Sequence, residues 1–255
     1  VLTEFPRALQ AMTPTDLIIV TVYLICIYYV ILQAWNSLEE RTVIKHVGNV
    51  FDYETLKDFL EVKFKFNDFY PFSKQPTTLA TTIENKSSTA TITVDWEKGA
   101  LRNFQGGDRR LLHLVSGLQE ADKAKPQTPS TISPKRNISA TLTADTLVTA
   151  DAETKALSAT KPIVDIEQLA KDKDAKPKDP KDKKEVEKIQ KLKTTYSNFM
   201  AMKEPLTFSL RLPLQITNFV EGSKKDMWGF VDCNFTVSRK PRIDQVPWNP
   251  KPPKK

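Results

Sequence analysis

Histidine and cysteine are almost missing from this chain, with two of each in 255 residues. Cys26 lies inside an apolar run and Cys233 near the far end, so no disulfide framework exists, which favours a reducing compartment. No Cys/His cluster has zinc spacing. Cys233 alternates with core-type residues and reads as packing, while His113, in "RRLLHLV", reads as one residue of a strand face. The seven glycines never form G-x-G-x-x-G or G-x-x-x-x-G-K-[ST], so the usual phosphate cradles are absent. The acids of "KDKD" and "KDPKDKKE" are interleaved with lysine, which argues against a calcium loop. The inventory predicts no catalytic residue, no cofactor and no metal.

Charge is present, but it is local. Of a formal net charge of +7, the segment 171–193 alone holds +4, from ten lysines against six acids. Such a segment, with the basic proline-rich tail 240–255, could hold anionic lipid or nucleic acid. The lysine run lacks the interleaved aromatics of single-strand binders, so nucleic acid is the less favoured partner.

A long hydrophobic run occurs once. "LIIVTVYLICIYYVIL", extended to Trp35, is uncharged for 19 residues, near the ~20 that cross a bilayer. "TPTD" before it offers Thr13 as an N-cap, Pro14 at the first helical position and an acid three residues on. The expectation is an N-terminal segment 1–14 and a retained transmembrane helix over 15–35. Tyr23, Tyr28, Tyr29 and Trp35 are its candidate lipid or helix-packing contacts. Arg7 before the run, against Arg41 and Lys45 after it, favours a cytoplasmic C-terminal domain.

A membrane-proximal helical connection is expected over 36–60, continuing out of the membrane to Lys45 and re-forming over 52–59. From Val62 the period changes to two. Alternation predicts strands at Val62–Phe66, Thr78–Glu84, Ala90–Trp96, Leu101–Phe104, Arg109–Val115 and Ile138–Leu142, with Gly106-Gly107 marking a hairpin. Eight aromatics between Phe51 and Phe72 read as core, with a partner patch as the alternative. Inside an insertion over 160–203, Val186, Ile189, Leu192, Tyr196 and Phe199 recur at spacings of three and four, giving an amphipathic helix over 183–202. Its stripe faces the domain's own sheet or a partner helix. A closing hairpin turns Phe208, Leu210, Leu212 and Leu214 inward against Val231, Cys233, Phe235 and Val237. The fold class is therefore mainly β, an antiparallel β-sandwich over 61–239 with one N-terminal transmembrane helix and a helical Lys-rich insertion. Trp248 lies in an extended tail.

One stretch invites a catalytic reading. In "TVDWEK", Asp95 and Glu97 flank Trp96, and two carboxylates i and i+2 on a strand lie about 6.6–7 Å apart, within the span of an inverting glycosidase pair. The pattern puts Ile92, Val94 and Trp96 on one face and both carboxylates on the polar one, where no cleft raises a pKa. Arg102, Arg109 or Arg110 could pair with them across strands. A hydrolase using Asp95 and Glu97 is the least favoured reading.

"FDYETLKDFLEVKF", "ENKSSTATITVDWEKGALRNFQGGDRRLLHLV" and "KPQTPSTISPKRNISATLTADTL" resemble an uncharacterised family of cyanobacterial membrane-anchored β-sandwich proteins. The likeness covers about residues 15–239. It implies a thylakoid or plasma membrane and carries no catalytic residue. The expected function is a non-enzymatic, membrane-anchored structural or interaction subunit of a larger membrane complex, with membrane lipid and other protein subunits as partners.

Overall fold

The computed structural model describes residues 13–37, 39–54, 56–175, 183–217 and 226–241. Helix α1 (Pro14–Ser37) stands outside the compact β-rich unit Arg41–Lys240, and each is described by itself.

The start of α1 follows the capping logic of its sequence. The Thr13 hydroxyl accepts from the Asp16 N–H at 3.3 Å, and the Asp16 carboxylate accepts from the Thr13 N–H at 3.0 Å, a reciprocal capping box. Within the helix the Thr21 hydroxyl donates to the Leu17 carbonyl at 2.7 Å, so its polar group needs no water. At 1.5 Å per residue, 24 residues extend about 36 Å, against a hydrocarbon core of ~30 Å. The 21 residues Pro14–Ala34 form a helix long and apolar enough to cross a membrane, and none of it is buried.

The β unit is mainly antiparallel sheet. Its strands are β1 (Arg41–Phe51), β2 (Leu60–Lys65), β3 (Tyr70–Pro71), β4 (Leu79–Asn85), β5 (Thr91–Val94), β6 (Ala100–Arg102), β7 (Asp108–Leu114), β8 (Ser130–Ile132), β9 (Asn137–Ala144), β10 (Val148–Ala150), β11 (Leu157–Ala159), β12 (Leu206–Thr217) and β13 (Asp226–Lys240). Three helices interrupt them, α2 (Leu56–Phe59), α3 (Ile166–Asp172) and α4 (Lys183–Met200). The strand order is β2-β4-β9-β7-β6-β12-β13-β1-β3. β5 and β6 share one edge of β12, β8 adds to β5, and β10–β11 is a separate hairpin.

β7 is the corner at which this sheet curls. Its Asp108–Arg110 half pairs with β6, and its Leu111–Leu114 half pairs with β9. A strand that changes partners in this way lets one sheet fold over on itself. Both halves then feed one core: Ile83 and Leu142 from one side, Val94, Leu210, Leu212 and Phe235 from the other, all nearly inaccessible.

Alternation built the closing hairpin as expected. Leu206, Phe208, Leu210, Leu212, Leu214 and Ile216 are buried on β12, as are Val231, Cys233, Phe235 and Val237 on β13. Phe235 is the aromatic centre, with Phe208 stacked at 4.6 Å, Phe64 edge-on at 4.7 Å and Phe66 at 5.8 Å. The aromatic-rich stretch 51–72 is thus largely core, though Tyr53 and Phe69 remain exposed. Gly229 is a close-approach position, because a Cβ there would lie 2.9 Å from Leu56 of α2.

The expected helical connection over 36–60 is corrected. α1 ends at Ser37, residues 41–51 form β1, and helix returns only as the single turn α2. β1 pairs along its length with β13, from Arg41 beside Lys240 to Phe51 beside Val231. Thr42, Val43, Ile44, Val47 and Val50 are β-branched and lose little by extending, and Thr42 and Ile44 alternate into the core. The Thr42 hydroxyl is satisfied inside by Gln75, which donates to it at 2.9 Å. A register shift between His46 and Gly48 leaves Val47 unpaired and exposed, which hides the period-two pattern in the sequence.

The insertion is helical, as α3 and α4. Asp165 caps α3, accepting from the Gln168 N–H at 2.7 Å.

Truncating the aromatic centre tests this core. Phe235→Ala should lower stability by about 3–5 kcal/mol, read as a lower denaturant midpoint of the detergent-solubilised chain. A loss below about 1 kcal/mol would contradict the packing described.

Candidate functional site

The carboxylates around Trp96 are structural. β5 ends at Val94, so Asp95 and Glu97 lie in a turn and not at i and i+2 of a strand. The Asp95 carboxylate accepts from the N–H groups of Glu97 at 3.1 Å and Lys98 at 3.3 Å, closing that turn. Glu97 receives a two-pronged guanidinium from Arg110, at 3.1 and 2.6 Å, and the Gln127 N–H at 3.0 Å. Arg110 also donates to the carbonyls of Lys123 and Lys125, fastening the proline-rich connection to the sheet. The Arg110 guanidinium holds the Glu97 carboxyl below its ordinary range, opposite to the shift a general acid needs. Trp96 is buried, with its ring N–H on Ser130 at 2.8 Å and the His113 ring 4.7 Å away. Burial pushes the His113 pKa down and the Cys233 thiol strongly up. Among the described residues no group of three or more His, Cys, Asp or Glu could hold a metal.

The predicted contact residues divide. Tyr23, Tyr28 and Tyr29 are exposed on α1 but share no single face. At about 100° per residue, Tyr28 lies about 140° and Tyr29 about 240° around the helix from Tyr23. Trp35 lies on α1 with its side chain outside the described residues, and Trp248 lies outside them altogether. On α4 the stripe is covered from its C-terminal end. Phe199 is buried with its ring tilted against Phe72 at 6.1 Å, Tyr196 and Leu192 pack half-buried on the core, Ile189 is half-buried, and Val186 is exposed. The stripe therefore packs on the protein's own core over Leu192, Tyr196 and Phe199.

Three surface concavities meet at one loop that the sequence marked only as a turn. At the β6–β7 hairpin tip, Asn103 Oδ1 accepts from the N–H groups of Gln105 at 3.1 Å and Gly107 at 2.8 Å, and Gly106 takes φ +81°. This holds Phe104 half-buried between three clefts. One of about 360 Å³ lies against α3, one of about 440 Å³ against α4, and one of about 350 Å³ against β12 and β13. The α4 cleft is basic, with Lys184, Lys188 and Lys191 opposite Phe104 and Glu187 as the acid among its lining residues. Nothing in the sequence pattern linked residue 104 to residues 184–195, since the approach is tertiary.

A second exposed area lies on the outer face of β13. Trp228 is 54% and Val50 56% exposed. Lys98 sits over the Trp228 ring at 5.2 Å and Arg211 over Phe230 at 4.4 Å, the latter also paired with Asp232 at 2.7 Å.

The Glu97–Arg110 tie predicts a pH effect. The Glu97 pKa is depressed in the folded state, so its stabilisation is present above the unfolded value near ~4.3 and fades as pH falls through the lower folded value. Glu97→Gln should lower neutral-pH stability by about 1 kcal/mol and flatten the acid limb of a stability-versus-pH curve. An acid limb unchanged by the substitution would remove Glu97 from this role. Comparison with family models, curated proteins and solved structures finds no match for this chain.

Proposed function

We propose that this chain is a single-pass membrane protein whose β domain acts as a non-enzymatic interaction subunit of a larger membrane complex. The observation that carries the reading is α1: a predominantly apolar span of 21 residues, Pro14–Ala34, with no burial against the rest of the protein. So much apolar surface left in water would be strongly unfavourable, and lipid is the medium that satisfies it. The capping box and the internally bonded Thr21 satisfy the helix start and a hydroxyl within its apolar length.

The interaction role is supported by how the chemistry-bearing side chains are used. Asp95 and Glu97 close a turn and fasten a loop, the His113 ring lies tilted against Trp96, and Cys233 fills the core. Several apolar and basic side chains remain exposed: Val47, Val50 and Trp228 on the sheet, Tyr53 in the bend after β1, and Val186 and the lysines on α4. Surface of that kind suits contact with other molecules. The membrane is a cyanobacterial thylakoid or plasma membrane on the resemblance noted above. The β domain is cytoplasmic by the balance of Arg7 against Arg41 and Lys45.

Alkaline carbonate extraction tests the anchor. The wild-type chain should stay in the membrane pellet. Leu24→Arg combined with Ile25→Arg adds about 2.5–3.5 kcal/mol per residue to insertion and should move much of it to the supernatant. Release of the wild type by carbonate would refute the span. For the subunit role, mild solubilisation and a native gel should show the chain migrating far above its 29.0 kDa mass together with companions. Migration alone as a monomer would refute that role.

A further inference from the structure

We propose that the cleft between the β6–β7 hairpin and α3 binds a small zwitterion of the amino-acid class, with Arg109 taking its carboxylate and the acids of α3 its ammonium group. The site lies wholly within the β unit and needs neither the anchor nor the subunit reading.

The two adjacent arginines of β7 meet different surroundings. Arg110 is satisfied by Glu97 and two carbonyls, and the nearby Arg102 by Asp108 at 2.8 Å. Arg109 has no such tie. It lies directly beside Leu101 of β6, Leu101 beside Leu210 of β12, and Leu210 beside Cys233 of β13. Residues directly opposite in a ladder share a face, and those three partners are buried in the core, so Arg109 ends a row of core side chains. It is itself half-buried, and its guanidinium makes no hydrogen bond or ion pair with another described residue. A partly desolvated guanidinium ordinarily meets a counter-charge. Here its donors line a cleft, and their planar fork matches a carboxylate.

The other charges of the cleft decide what kind of anion fits. Lys161 adds a second cation, while Asp165 and Asp172, seven residues apart and so on one face of α3, add two acids. Among the described residues no ion pair joins the two sets. Each acid has one oxygen engaged within α3: Asp165 Oδ1 accepts the Gln168 N–H and Asp172 Oδ1 the Gln168 side-chain amide, both at 2.7 Å. The second oxygen of each is left for a ligand. The four charges sum to zero, so a plain anion would gain from the cations and lose to the acids, whereas a zwitterion gains from both. At about 360 Å³ the cleft is near the lower end of small-molecule sites, a size that suits an amino acid better than a nucleotide. Phe104 and Pro162, both half-buried at the cleft, supply apolar surface for the rest of the molecule.

The test is thermal-shift screening of the full chain in mild detergent against the common L-amino acids, β-alanine and γ-aminobutyrate at millimolar concentration, with calorimetric titration of whatever binds. At least one amino acid should raise the unfolding midpoint and bind one per chain. Its N-acetyl and its carboxamide derivatives, each lacking one charge, should bind about 10-fold or more weakly. R109Q should lose a similar factor, while R136Q, at an exposed arginine outside the cleft, should lose none. D172N should weaken the parent amino acid but not its N-acetyl derivative, a difference that general damage to the fold would not produce. Should R109Q fail to fold, R109K, which keeps the charge without the fork, should show the loss. No binding by any amino acid, an N-acetyl derivative as tight as its parent, equal affinities in R109Q and R136Q, or equal weakening of both ligands by D172N would each overturn the proposal.

Discussion

A fifteen-residue strand paired on both edges organises this molecule. β13 lies between β12, with which it shares a twelve-residue ladder, and β1, the first element of the domain. Its inward side chains, Val231, Cys233, Phe235 and Val237, meet the alternating leucines and Phe208 of β12 and the rings of Phe64 and Phe66. Backbone ladders alone contribute little net free energy, so it is this doubly paired strand with one fully apolar face that makes the arrangement cooperative. It also joins the ends of the domain, since Arg41 and Lys240 lie side by side.

Polar side chains in this fold mostly serve to hold the irregular segments against that frame. Arg110 is the clearest example: sitting where β7 changes partners, it clamps Glu97 of one turn and two carbonyls of the proline-rich connection. Gln127 closes the same knot by donating to the carbonyls of Leu111 and Trp96. Asn103 and Asn85 do comparable work, the latter buried and bridging the Ala90 and Ile132 carbonyls. Such groups look like candidate chemistry in a sequence because catalysis and loop fastening draw on the same residue types. Environment separates them: here Glu97 meets a guanidinium and an amide that favour its ionised form.

The legibility of the chain follows the range of its interactions. α1 was readable to its cap because capping and apolar length are local properties. β12 and β13 were readable because each has a strict period of two. β1 was not, since its alternation breaks at Val47 and its start abuts a helix that local reasoning extends. The α4 stripe was placed correctly in sequence, but its covering by Phe72 and the core belongs to pairs more than a hundred residues apart.

The amino-acid sequence by itself therefore determined the apolar helix, the β class of the domain, the closing hairpin and the helical insertion, because period and composition encode those directly. Only the tertiary structure decided that residues 41–51 belong to the central sheet, that β7 turns a corner, and that Glu97 answers Arg110. It alone brought Phe104 opposite three lysines of α4. The physical reason is that each of these depends on which distant backbone edge or side chain comes into reach once the core has closed. No window of neighbouring residues carries that information.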